Sequence, residues 1–108
     1  MTLQWLQIES LCEHPDDSGL PKADARRLLF RIRQWIERTG LYAPIIVREA
    51  VHDPMSDDFV SAVYTHVLVD GNFRLRVLKD LGHTHARCNV WTCDAETARL
   101  YRAISKNS

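Results

Sequence analysis

Chemistry concentrates at Asp70-Gly71-Asn72-Phe73-Arg74-Leu75-Arg76, which follows the β-rich run of residues 63–69 and opens a helical one. A strand-to-helix turn carrying glycine is a natural anion site. Gly71 lets backbone approach a ligand with no Cβ in the way, and the first free N–H groups of the helix point at whatever sits there. Arg74 near the helix start opposes the macrodipole at a cost of about a few tenths of a kcal/mol. A bound phosphate would offset that cost, and so would a carboxylate such as Asp70; the short motif alone leaves both readings open. Gly71, Asn72, Arg74 and Arg76 are thus the candidate phosphate-binding residues.

Three other groups invite a chemical reading. Glu13, His14 and Asp16 could hold Mg²⁺ through the phosphates of a nucleotide, because Mg²⁺ takes one or two carboxylates and leaves its other positions to water and phosphate; the alternative is a solvated loop. His83-Thr84-His85 with Cys88 lacks a third and fourth ligand at metal spacing, so no metal site is assigned. The segment from Lys22 to Arg38 is basic, with Lys22, Arg26, Arg27, Arg31, Arg33 and Arg38 against Asp24 and Glu37. On a helical wheel Phe30 falls nearly opposite the Leu28/Ile32/Trp35 face, between Arg26 and Arg33 on one side and Arg27 and Arg31 on the other. An aromatic among arginines suits nucleic acid or a protein partner, although single exposed apolar residues are common.

These residues need elements to position them. Residues 5–11 alternate loosely and predict a first strand, ended by the breaker-rich residues 13–21, a candidate site wall. From Lys22 to Thr39 the apolar residues Ala25, Leu28, Leu29, Ile32, Trp35 and Ile36 follow a helical period, closed by Gly40. Pro44 opens a β-branched strand through Arg48, and the polar residues 52–61 predict a long hairpin loop before a strand over residues 62–69. Phe73, Val77, Leu78 and Leu81 give a second helix stopping at Gly82, followed by a strand over residues 86–91. Asp94 is the expected N-cap of a last helix with Thr97, Leu100, Tyr101 and Ile104 on one face. The order is βαββαβα, a small α/β (α+β) arrangement read as one domain over residues 1–108.

At 108 residues, 45% hydrophobic and 26% charged, the chain can bury one core and is not a disordered sequence. Its formal net charge is zero, so any basic face must come from uneven distribution. No apolar run reaches the length of a membrane span and Met1-Thr2-Leu3-Gln4-Trp5 lacks the marks of a signal peptide, so a cytoplasmic protein is expected. Cys12, Cys88 and Cys93 are read as buried or idle thiols.

Three motifs in this order resemble the ParB N-terminal domain and its sulfiredoxin-like relatives, over roughly the whole chain. They are a helix, glycine and Pro-Ile-Ile-Val over residues 32–47, the turn Val69-Asp70-Gly71-Asn72-Phe73-Arg74-Leu75-Arg76-Val77, similar to the family's phosphate-binding Gly-x-x-Arg-x-Arg-Ala, and the helix exit Leu78-Lys79-Asp80-Leu81-Gly82. The resemblance implies a mixed sheet, a nucleotide (CTP, ATP or ADP, with Mg²⁺) at the Gly71–Arg76 turn, and an association with DNA. The family holds nucleotide-gated DNA clamps that bind and hydrolyse CTP, nucleases, sulfiredoxins, and kinases that phosphorylate free serine.

This chain departs from each of them. It has Asn72 and Phe73 where ParB-like proteins resemble Glu-Arg. Sulfiredoxins need a cysteine at the position of Asn72, so that activity is not expected. Serine kinases carry Asp-Gly-His-His-Arg, matched here only at its ends, with a general-base glutamate in the loop after the first strand, where this chain offers Glu13. The helix-turn-helix region and dimerisation tail of a clamp do not fit in 108 residues. The leading expectation is a stand-alone module that binds a nucleotide or other phosphate ligand in a partition, phage or nuclease-type system. The alternatives are a small phosphotransferase or nuclease with Glu13 as catalytic base, and a protein-interaction domain meeting a partner or a second copy of itself.

Overall fold

The computed structural model describes residues 1–14 and 20–107. The elements are β1 (Thr2–Gln7), β2 (Leu11–Cys12), α1 (Lys22–Thr39), β3 (Ile45–Glu49), β4 (His66–Asp70), α2 (Asn72–Asp80), β5 (His85–Val90) and α3 (Ala95–Asn107). The strands form one mixed sheet in the order β1-β5-β3-β4-β2. The β1–β5 and β3–β4 pairs are antiparallel, and β5–β3 and β4–β2 are parallel.

The βαββαβα order stands, but the expected first strand is broken by a 3-10 turn at Ile8–Ser10 into β1 and β2, which lie on opposite edges of the sheet. Ile8 and Leu11 are both core residues. Three residues apart, they share a side only if the chain between them turns at three residues per turn, which simple alternation would not allow. The Ile8 N–H donates to the Thr84 carbonyl, and the Ser10 carbonyl accepts from the Thr65 N–H, both at 2.9 Å. Two residues reach at most about 7 Å, so the sheet curls to bring these strand ends together.

One face of the sheet carries the main core. Ile45 and Val47 from β3, Leu68 from β4 and Ala86 and Cys88 from β5 pack with Leu75, Val77 and Leu78 of α2 and Ile36 of α1. Burial pushes the Cys88 thiol up to about 11, consistent with the idle role expected of it. Val67 and Val69 alternate onto the other face, where α3 packs against β4 and buries Ala95 and Ala98. A continuous apolar run, Val67-Leu68-Val69, is what a strand covered on both faces requires.

Three sequence expectations shift. β4 starts at His66, not Ala62, because a turn in which the Tyr64 N–H donates to the Ser61 carbonyl at 3.0 Å occupies the preceding backbone. On α1, Leu29 and Ile32 pack against the core beside the buried Ile36, whereas Leu28 and Trp35 are exposed; the apolar arc is wider than the strip that meets the rest of the fold. On α3, Leu100 and Ile104 face outward. The helix instead approaches through Ala95, Ala98 and Tyr101, whose ring meets Trp91 edge-on at 5.4 Å, while Arg102 donates to the Val69 carbonyl at 3.3 Å.

The helix ends behave as expected. Gly40, at φ 69°, closes α1 with its N–H donating to the Ile36 carbonyl at 2.8 Å. Asp94 caps α3 by accepting from the Thr97 N–H at 2.7 Å. Among the described residues, no helix is long and apolar enough to cross a membrane.

Candidate functional site

Gly71 joins β4 to α2 with φ 118° and ψ 22°, and its carbonyl takes the first helical bond, from the Leu75 N–H at 2.9 Å. A Cβ there would stand 3.2 Å from both Cγ1 and Cγ2 of Ile45 and 3.3 Å from Nη2 of Arg74. The glycine is therefore required by its backbone angle and by β3 passing beneath it, not only by room for a ligand. No side chain caps α2 and no acid lies in its first turn. The one acid next to the start in sequence, Asp70, precedes the N-cap and lies beside Arg74.

Asn72 and Arg74, both expected at a phosphate, hold protein backbone. The Asn72 side chain accepts from the His14 N–H at 3.3 Å and donates to the His14 carbonyl at 3.2 Å, tying the chain after β2 to the first residue of α2. Arg74 points inward with its side chain 20% exposed, and its Nη1 donates to the Ala43 carbonyl at 2.8 Å and the Pro44 carbonyl at 3.3 Å. Asp70 lies 3.9 Å from Nη2, a loose ion pair. Arg87 treats the preceding carbonyl in the same way, donating to Tyr42 O at 2.7 Å. Two arginines thus fix the α1–β3 connection from either side.

Arg76 and Lys79 look outward, 48% and 43% exposed, and share one carboxylate oxygen. Oε1 of Glu13 stands 3.7 Å from Arg76 Nε and 3.8 Å from Lys79 Nζ, in ion-pair range but beyond hydrogen-bond length. The guanidinium of Arg76 also lies 5.6 Å from the centre of the Phe73 ring. Lys79 was not among the residues expected here. Its position three after Arg76 on a helix was the available signal. Cys12 is the cysteine beside this group; burial, then the Glu13 charge, push its thiol upward, while Lys79 pulls it down.

The architecture now has counterparts. The C-terminally truncated chromosome-partitioning protein ParB from Caulobacter crescentus, in complex with CTP-gamma-S, superposes with TM-score 0.68 at 20% identity over 97% of this chain and 52% of that one. This chain has a ParB/sulfiredoxin-like fold. Sulfiredoxin from Arabidopsis thaliana matches with TM-score 0.62 at 20% identity, covering 94% and 97% of the two chains. Free serine kinase in complex with ADP matches with TM-score 0.55 at 15% identity, covering 84% of this chain and 31% of that one. No family model and no curated protein matches the sequence. The chain spans about half the length of the ParB structure, and at these identities the likeness is one of fold.

Against that fold, Glu13 falls in the connection after β2, beside α2, and faces two cations. Its partners in this structure are those two cations, and no group of three or more His, Cys, Asp or Glu residues suited to a metal occurs among the described residues. Asp16, the third member of the expected set, lies outside them. Arg26, Arg27, Phe30, Arg31 and Arg33 are all exposed on α1; Arg33 pairs with Glu37 at 2.8 Å.

Proposed function

We propose that the chain binds a nucleotide or another phosphate-bearing ligand beside the β4–α2 turn. The uncapped start of α2 together with Arg76 and Lys79 supplies the positive charge, and Glu13 is the anion the ligand displaces. Asn72 and Arg74 shape the site without touching the ligand. The observation that carries this reading is the pair of half-exposed cations sharing one oxygen of Glu13 at 3.7 and 3.8 Å. A phosphate offers more charge and more acceptor oxygens than that carboxylate and can make short charge-assisted hydrogen bonds to both. The structures of similar fold solved with CTP-gamma-S and with ADP support a nucleotide as the ligand, and the ParB likeness supports a DNA-associated setting. Magnesium enters as the counter-ion a nucleotide carries.

Calorimetric titration of CTP, ATP and ADP, each with and without Mg²⁺, into wild type and the double variant R76E/K79E tests the reading. At least one nucleotide binds wild type, and the charge reversal abolishes binding without changing the melting temperature by more than a few degrees. Binding of none of the three removes the nucleotide reading, and binding that survives the reversal overturns the site.

A further inference from the structure

The outward face of α1 has no part in the site at α2. At about 100° per residue, Gln34, Arg27, Arg38 and Arg31 fall within about 60° of one another, on the side of the helix opposite the buried Ile36. Phe30 lies about 40° to one side of this stripe and Trp35 about 40° to the other. Both rings are exposed, Phe30 at 61% and Trp35 at 56%, and Arg31, Gln34, Trp35 and Arg38 line one shallow depression. Arg27, Arg31 and Arg38 have no ion-pair partner among the described residues, whereas Glu37 is already engaged by Arg33 on the flank. Asp24 stands in the first turn of α1, where the macrodipole favours an acid.

We infer that this face binds an unpaired nucleic-acid strand, its backbone along Arg27, Arg31 and Arg38 and its bases against Phe30 and Trp35. The stripe is about 16 Å long at 1.5 Å per residue. The arginines alone would suit any polyanion. The two rings on either side narrow the choice, because only a strand whose bases are unstacked can put base faces on exposed aromatic side chains while its phosphates follow the arginines between them. A duplex keeps those faces inside its own stack and would leave both rings unused. A peptide of Asp and Glu would satisfy the arginines and bring no aromatic face to Trp35.

The test is fluorescence anisotropy with a labelled oligothymidylate, the corresponding duplex and polyglutamate, at several salt concentrations. Wild type binds the single strand more tightly than the duplex or polyglutamate, with log K falling against log salt at a slope of about −2 for three phosphates. R27E/R31E loses the binding. W35A weakens it roughly five- to hundredfold while leaving the salt slope in place, a separation that a general loss of structure would not produce. R76E/K79E leaves oligonucleotide affinity unchanged, which keeps this surface distinct from the proposed nucleotide site. Equal affinity for the duplex, an unaffected W35A, tighter binding of polyglutamate, or a loss in R76E/K79E as large as in R27E/R31E would each overturn the inference.

Discussion

The inner and outer sides of the β4–α2 turn each carry an arginine of α2 and use it differently. On the inner side Gly71 rests on Ile45, Asn72 holds the backbone of His14 through both of its amide atoms, and Arg74 takes the carbonyls of Ala43 and Pro44. On the outer side Arg76 lies over the Phe73 ring and shares Glu13 loosely with Lys79. Arg74 and Arg76 are two residues apart on one helix, so about 200° of rotation separates a cation that organises the fold from one that faces solvent. A cation that holds two carbonyls of one connection cannot be withdrawn without loosening it; one held beyond hydrogen-bond length loses little when a better anion arrives.

The sharpest way to break this contrast is at Gly71. In G71V a β-branched residue must adopt φ 118° and place its Cβ against Ile45, whose position is fixed inside the core. Backbone strain and overpacking together should lower stability by about 3 kcal/mol or more, read as a reduced urea midpoint. A variant as stable as wild type would mean that the turn is not anchored on β3, and that the glycine serves only ligand approach.

Next in size is Arg74→Ala. Losing a charged donor to the two loop carbonyls should cost about 1.5–3 kcal/mol of stability, while nucleotide affinity of the folded variant stays within a few-fold of wild type. Were the outcome reversed, with stability kept and affinity lost, Arg74 would belong to the outer side and the assignment of roles within the turn would fail.

The legible and illegible parts of this molecule follow the same division. Element order, the extent of α1, its glycine stop and the Asp94 cap could be read because each depends on contacts within a few residues. The turn was recognisable as a turn for the same reason. The partners of Asn72 and Arg74 were not, since His14 is 58 residues from Asn72 and Ala43 is 31 from Arg74, and no local pattern encodes such pairings. The break at Ile8–Ser10 escaped because an apolar residue every third position in a short segment fits a loose strand as well as a 3-10 turn. The outward faces of Trp35 and Leu100 depend on how much of each helix the sheet and α2 cover, which is a property of packing and not of periodicity.

The finest distinction rests on Glu13. As a counter-charge to Arg76 and Lys79 it competes with any incoming phosphate, and its carboxylate is near enough to repel one. Glu13→Gln keeps the shape and removes the charge. Because these ion pairs are long and solvent-facing, the change should alter stability by no more than about 1 kcal/mol. Removing one like charge near a bound anion at the surface is worth about 1 kcal/mol, so nucleotide affinity should rise roughly fivefold. The gain should shrink as ionic strength rises, because exposed charges are screened over about 8 Å at physiological salt. A general base would leave a different signature, with turnover lost and affinity nearly unchanged. An affinity that falls in Glu13→Gln would instead make the carboxylate a ligand contact, and the idea that it is displaced by phosphate would have to be given up.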